Sequence, residues 1–272
     1  MSEAKTAIID DVDFGQLYRD HQRLAGGWVK PPAFWDERAQ AFDARQRSGG
    51  HYIETFVSWM DLSDCDSLID IGCGNGALPI ALAPRLNSVI ALDYSPAMLD
   101  VARRRAAEAG VGNMQTVLRA WEEDWSDLPQ CDIAIASRST GVMDLEAALR
   151  KLDAQARKRV YLTAPVGSRA VNRSVLEALG RPAAPAVDKP DYIYFVNLVH
   201  RMNRMPRVDF IAHPGSEPPE ADWAGFQRNA AFFLGELSEA EWARLRAWRE
   251  RHPEAPLFER DQKFWAFISW SK

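Results

Sequence analysis

The chain has 272 residues, 47% of them hydrophobic and 10% aromatic, which suits a folded globular protein with a large core and excludes a low-complexity or repeat architecture. With 33 Lys and Arg against 38 Asp and Glu, the formal charge is −5, so the basic face that compensates nucleic-acid phosphates is not expected. The three cysteines Cys65, Cys73 and Cys131 form no CxxC pair, which argues against a disulfide framework or a metal site.

The opening segment MSEAKTAIIDDVDF is acidic and lacks a basic n-region and an apolar h-region. No apolar run approaches the ~18 residues of a membrane span, so a cytoplasmic protein with no membrane partner is expected. Residues 1–60 carry Phe34-Trp35-Asp36-Glu37-Arg38-Ala39 and a helical run through Phe56, Val57 and Met60, and are expected to form a helical lid over the mouth of the site. His51 and Tyr52 fall close to that lid.

From Cys65 onward short apolar runs alternate with helical patterns, the signature of a parallel sheet covered by helices. Strands are predicted at Ser67–Ile71, Ser88–Asp93, Met114–Arg119, Asp132–Ser137 and Arg159–Ala164. Helices are predicted over Ala77–Leu86 and Ala97–Ala109, the second stopped by Gly110. Arg103-Arg104-Arg105 within it reads as a solvated face.

After a Pro- and Gly-bearing stretch from Gly167 to Pro190 come an amphipathic helix Tyr192–Met205 and a strand Val208–Ala212. Two helices follow, around Asp222–Leu234 and Glu239–Arg251, and an aromatic closing strand Phe264–Trp270 ends the pattern. The expected organisation is thus a lid (1–60), a nucleotide-binding core (61–213), a helical cap insertion (214–262) and a final core strand (263–272).

The chemistry concentrates in Asp70-Ile71-Gly72-Cys73-Gly74-Asn75-Gly76, where a buried strand enters a tight turn and then a helix. Glycines there let the backbone turn sharply and approach a ligand. Gly72, Gly74 and Ala77 also satisfy the GxGxxG/A pattern of NAD-binding folds, so an NAD(P)-dependent oxidoreductase is the rival enzyme reading. Asp70 discriminates: a carboxylate two residues before the first glycine would repel a pyrophosphate but suits a cationic amino group. Asp93 ends the next strand, 21 positions after Gly72, and can accept hydrogen bonds from both hydroxyls of a ribose in either class.

On these residues the sequence resembles the class I S-adenosylmethionine-dependent methyltransferases, and among them the ubiquinone and menaquinone methylase-like group, over about residues 34–165. The resemblance implies an α/β, Rossmann-like, doubly wound and mostly parallel seven-stranded sheet. It further implies that Asp70 and the Gly72-Cys73-Gly74-Asn75-Gly76 turn hold the methionine part of S-adenosylmethionine, Asp93 the ribose, and that Tyr94 and Met98 flank the adenine. Trp35 and Arg38 belong to the aromatic-x-x-Arg-Ala element that often precedes the core. Where the family commonly has an Asp after the third strand this chain has Ala120, which passes adenine recognition to Trp121 and Glu122, unless Trp121 packs in the core.

Methyl transfer is an in-line displacement that depends chiefly on positioning, so no catalytic triad is expected. The carboxyl end of the fourth strand brings Ser137, Arg138 and Ser139 beside the reacting methyl group. Arg138 either grips an acceptor oxyanion or pairs with a neighbouring carboxylate. Asn197, His200, Arg201 and Arg204 form a polar stripe; it supplies a base at His200 if it faces the cleft, and otherwise faces water. His21, His213 and His252 show no partner pattern. Trp223, Trp242, Trp248, Trp265 and Trp270 either line an acceptor pocket or pack as core. The function expected is methyl transfer to a small molecule, with a non-catalytic nucleotide-binding protein on the same fold as the reading from another class.

Overall fold

In the computed structural model the described residues are 8–26, 30–46, 50–167, 170–182, 187–212, 223–260 and 264–272. His213 and Asp222 lie outside them. Helices α1 (Phe14–Leu24), α2 (Pro32–Asp36), α3 (Ala39–Gln46) and α4 (Gly50–Ser58) precede the sheet. The core then runs β1 (Ser67–Ile71), α5 (Ala77–Leu82), β2 (Ser88–Asp93), α6 (Pro96–Glu108), β3 (Met114–Leu118), β4 (Cys131–Ser137), α7 (Leu145–Gln155) and β5 (Ala156–Val166). It continues through β6 (Ala170–Val171), α8 (Arg173–Leu179), α9 (Tyr192–Arg201) and β7 (Arg207–Ala212). Last come α10 (Trp223–Leu234), α11 (Glu239–Arg251), β8 (Phe258–Arg260) and β9 (Phe264–Ser271).

The main sheet has seven strands in the order β3-β2-β1-β4-β5-β9-β7. The pairings β3–β2, β2–β1, β1–β4 and β4–β5 are parallel, while β9 lies antiparallel to both β5 and β7. The order reverses beside β1, and a doubly wound sheet opens its ligand crevice at such a point, outside the carboxyl ends of the strands. The predicted strands stand within a few residues of their expected bounds; β5 is longer at its carboxyl end because β9 pairs along it to Val166, and at its amino end because Ala156 pairs with Cys131 of β4.

The period-2 alternation of strand side chains decides which residues share the crevice. Ile69, Ile71, Ile90, Leu92, Ala134, Val160 and Leu162 belong to one core cluster, with Tyr18 of α1, Leu149 of α7 and Phe195 of α9. Leu68, Val89, Ile133, Ile135, Tyr161 and Phe267 point the other way and pack with Tyr52 and Phe56 of α4 and Leu78 and Leu82 of α5. Asp70, Asp93, Ser137 and Thr163 have the parity of this second set and end it at the carboxyl edge. α4 is thereby the helix nearest the β4–β5 half of that edge.

The N-terminal helices do not act as one lid. α1 packs against α7 and α9 on the far face, α2 and α3 lie on α6, and α4 lies on α5 and β7. The cap also recruits more chain than expected: Val175 and Leu179 of α8 form a cluster with Phe226, Ala230, Leu245, Trp248 and Leu257, so the stretch predicted as irregular contributes a helix to it. Trp248 and Trp270 are buried, as the core reading requires, whereas Trp223 and Trp242 are half-buried at the rim of this cluster and line a surface cavity with Arg246 and Glu250. Among the described residues no helix is long and apolar enough to cross a membrane.

Candidate active site

The turn after β1 is fixed from below by the Gly72 and Cys73 N–H groups, which both donate to Leu92 O at 2.7 and 2.9 Å. Gly72, with φ +73°, sits so close to the loop after β4 that an added Cβ would lie 2.3 Å from Ser139 Cβ. Ser139 Oγ donates to Ile71 O at 2.5 Å, which holds the two loops together. Only glycine meets both demands, the left-handed backbone and the contact. Gly76, at φ +76°, admits α5 tightly against α6, where a Cβ would meet that of Ala102 at 3.0 Å.

Asp70 and Asp93 end adjacent parallel strands and are 2% and 5% exposed. Asp93 accepts from Gly74 N at 2.8 Å through Oδ2 and from Ser95 N at 2.9 Å through Oδ1. It therefore rigidifies both the glycine turn and the start of α6. Asp70 differs, because its Oδ1 is buried with no hydrogen-bond partner among the described residues. Burial, and after it the neighbouring Asp93, hold the Asp70 carboxyl well above the usual carboxylate range. A buried acceptor left unmatched is costly, and a cation delivered by a ligand satisfies it. The glycine turn, an unmatched acid and a second acid at the next strand end fit a ligand carrying an ammonium group and a ribose. Asp93 is also raised, by burial first, while its backbone donors oppose the shift.

α2 and α3 close the other side of this turn. Trp35 packs with Phe42, Ala39, Met98 and Val101, which sets Met98 between α6 and the α2–α3 segment. Phe42 lies over Gly74, with Cε1 3.7 Å from the position of an added Cβ. Asp36 Oδ1 accepts from Ser95 Oγ at 2.5 Å and Ala97 N at 3.1 Å, joining α2 to the N-terminus of α6. Buried Asp43 accepts from Asn75 Nδ2 at 3.1 Å and faces Arg104 and Arg105 at 3.1 and 3.3 Å. Of Arg103-Arg104-Arg105, Arg103 and Arg104 are exposed, as a solvated face requires, while Arg105 is half-buried; Arg104 and Arg105 also tie α6 to α3, and Arg103 bonds Asp100 and Thr116. Tyr94 donates to Lys30 O at 3.0 Å, and burial pushes its phenol up to about 12.

At the β4–β5 half, the Tyr52 hydroxyl bonds Ser137 Oγ at 2.7 Å and Thr163 Oγ1 at 2.9 Å. Thr163 Oγ1 also accepts from Arg138 N at 3.0 Å. The Arg138 guanidinium lies over the Tyr52 ring, 4.3 Å from its centroid, and pairs with no carboxylate among the described residues. Burial raises the Tyr52 phenol, with Arg138 opposing, so it is a neutral donor and not a base. Thr163 escaped sequence reading although its parity with Tyr161 was available; the missing signal was that α4 covers this strand end.

Other expected site residues are placed differently. The Arg38 side chain folds back on its own segment, donating to Phe34 O at 3.0 Å with its guanidinium 3.9 Å over the Phe34 ring and 3.3 Å from Glu37, so its charge is satisfied beside α2. The Trp121 indole donates to Ser139 O at 2.9 Å and packs on Trp125, giving it the packing role left open by sequence. Glu122 is exposed, and its neighbour Glu123 accepts the Ala120 N–H at 2.5 Å. Cys73 is buried and contributes its backbone to the turn.

The expectation of a base at His200 is corrected. His200 is exposed on α9, whose following Arg204 pairs with Asp153 near the amino end of β5, the opposite edge of the sheet. Arg201 donates to Asp10 O and Val12 O, so this polar stripe fastens the N-terminal segment and α7. His21 does have partners, Tyr194 Oη at 2.8 Å and Asp188 O at 2.6 Å, and His252 lies against Trp248.

Comparison with known proteins bears on the fold and the family. Residues 68–158 match the family model of a methyltransferase domain. An uncharacterised protein of Haemophilus influenzae is 33% identical over 267 residues, 97% of this chain and 98% of that one. A 23S rRNA (uracil(1939)-C(5))-methyltransferase of Klebsiella pneumoniae is 32% identical over 72 residues, 26% of this chain and 17% of that one. A solved S-adenosylmethionine-dependent methyltransferase of Geobacter sulfurreducens in complex with S-adenosylhomocysteine superposes with TM-score 0.50 at 15% identity, covering 80% of this chain and 89% of that one. The methyltransferase domain match spans the strands that carry Asp70 and Asp93, and together with the seven-stranded sheet it identifies the chain as a class I S-adenosylmethionine-dependent methyltransferase.

Proposed function

We propose that the chain transfers a methyl group from S-adenosylmethionine to a small-molecule acceptor seated at the carboxyl ends of β4 and β5. The observation that carries this reading is the buried, unpartnered Oδ1 of Asp70 beside the glycine turn. An ionised Asp70 takes the cofactor's ammonium group, and backbone groups of Gly72, Cys73, Gly74, Asn75 and Gly76 line its methionine portion. Asp93 already accepts two backbone N–H groups, yet each carboxylate oxygen has a further lone pair for a ribose hydroxyl. Tyr94 and Met98 bound the adenine on the α6 side.

When bound, the cofactor supplies an electrophilic methyl group: its carbon–sulfur bond breaks with the electron pair left on sulfur as an acceptor lone pair takes the carbon. The protein's own contribution is positioning, which alone can account for ~7–11 kcal/mol of a barrier. Ser137, Tyr52 and Thr163 hold the acceptor side rigid through their shared hydroxyl chain. The formal charge of −5 supports a small acceptor over a polynucleotide. The oxidoreductase alternative is not favoured, because Asp70 would oppose a pyrophosphate.

Calorimetric titration with S-adenosylmethionine, S-adenosylhomocysteine and NAD tests the cofactor. Tight NAD binding without a response to the other two sinks the reading. Incubation of the protein and methyl-labelled cofactor with fractionated cell extract then tests the acceptor, which should be labelled in the low-molecular-mass fraction. Label confined to RNA or protein overturns the small-molecule assignment.

A further inference from the structure

Arg138 is held in an unusual way. It is one of three described non-glycine residues with positive φ, and the other two are Asp64 and Asn203, types that tolerate the left-handed region. Arg138, at φ +56°, has a long side chain with no local device to offset that conformation. Its backbone is kept there by the bond from its N–H to Thr163 Oγ1. A backbone outlier at a strand end, next to a cofactor site, is where such strain serves a function.

The consequence is that the guanidinium is set over the Tyr52 ring, 4.3 Å from the centroid. The ring restricts Arg138 before any ligand arrives, and its planar fork of donors remains available. The groups bonded to Tyr52 are the neutral hydroxyls of Ser137 and Thr163, so nothing in that chain neutralises the cation. Asp70 lies within electrostatic reach of Tyr52, so the acid and the cation both neighbour that ring.

A second observation comes from β9. Trp265 pairs with Pro165 and is two residues from Phe267, which pairs with Thr163, so its indole lies on the same face and at the same edge as Tyr52. Its Nε1 is buried without a partner among the described residues. A free cation and an unmatched donor therefore share one apolar, aromatic-lined edge with three neutral hydroxyls.

We propose that the methyl acceptor is a carboxylic acid with an aromatic or otherwise apolar body, its carboxylate gripped by Arg138 and its body lying along the Tyr52–Trp265 edge. A single planar fork matches one planar carboxylate through two parallel hydrogen bonds. This rests on the cofactor reading above, since it takes the acceptor edge to be the one beside Asp70.

The test is calorimetric titration of the full chain, with and without saturating S-adenosylhomocysteine, using benzoate, benzamide and phenyl phosphate as probes. Benzoate is expected to bind at least tenfold more tightly than its neutral isostere benzamide. Arg138→Gly removes the guanidinium and also relieves the left-handed backbone, so it should fold with an unchanged or higher melting temperature. It should lose benzoate binding at least tenfold while its S-adenosylhomocysteine affinity stays within twofold of wild type. Arg138→Lys, a point charge without the fork, should restore only part of the binding. Benzoate binding no tighter than that of benzamide, including no binding of either, overturns the proposal. Phenyl phosphate binding tighter than benzoate does the same, as does wild-type benzoate affinity in Arg138→Gly. Uptake of benzoate by a wild-type protein that ignores S-adenosylhomocysteine would sustain the acid site and sink the cofactor reading instead.

Discussion

Replacing Asp70 by Asn tests the electrostatic core of the site. In the ligand-free protein this carboxyl is 2% exposed, has one unmatched oxygen, and titrates well above its ordinary value because of burial and then Asp93. An unfolded-chain Asp titrates near ~3.9. Between that value and the raised one, the folded protein retains a proton that the unfolded chain has lost. The stabilisation from this group is therefore complete below about pH 4 and is lost as pH rises, by at most ~1.4 kcal/mol per pH unit for one proton. Asn is isosteric and cannot ionise, so the variant should lose that slope and exceed wild type in melting temperature on the alkaline side.

Cofactor binding should move in the opposite direction. A hydrogen bond to a charged group contributes ~1.5–3 kcal/mol, so Asp70→Asn should weaken S-adenosylhomocysteine roughly 10- to 150-fold. Wild-type binding should also release protons in the window where free Asp70 is still protonated, because the ligand's ammonium favours the carboxylate. Thermal denaturation from pH 5 to 9 and calorimetry in buffers of different ionisation enthalpy measure all three effects. An Asn variant with wild-type affinity, or with the wild-type dependence of stability on pH, would refute the reasoning.

Gly72→Ala should cost about 3 kcal/mol and most cofactor affinity, since its Cβ would sit 2.3 Å from Ser139 Cβ on a left-handed backbone; denaturant unfolding reads the first and calorimetry the second. Asp43→Ala removes the buried acceptor shared by Arg104, Arg105 and Asn75, which should destabilise the protein by about 2 kcal/mol, below the ~3–5 kcal/mol of a broken buried pair because Arg104 is exposed and both arginines keep other partners. Full wild-type stability would show that α3 is not anchored through Asp43. His200→Ala should change stability by under ~0.5 kcal/mol and leave turnover intact, as an exposed residue away from the carboxyl edge; a fall in turnover measured on an identified acceptor would restore it to the site.

Local chemistry was legible in the sequence wherever it is local in the chain. The strand, glycine turn and helix from Ser67 to Leu82 are contiguous, so periodicity and the need for positive φ located Asp70 and the turn without further help. Asp93 followed from the same logic one strand later. Residues whose roles depend on distant contacts were not legible. Nothing near Tyr52 indicates that it meets Ser137 and Thr163, 85 and 111 positions away, because that encounter is created by α4 packing on the second core cluster. Arg104 and Arg105 read as a solvated face because their partner, Asp43, is some 60 positions earlier.

His200 shows the converse error. A polar stripe fixes which residues share a helix face but not which end of the sheet that face meets, and the Arg204–Asp153 pair settles that at the amino edge. Sequence by itself determined the strand order's raw material and the acid-glycine-acid constellation, since both follow from short-range periodicity and backbone sterics. Only the tertiary structure decided that, among the described residues, Asp70 keeps an unmatched oxygen and Arg138 stands without a carboxylate on an aromatic ring, and that the N-terminal helices divide between two faces. Those properties depend on burial and on what occupies neighbouring space, which packing alone sets.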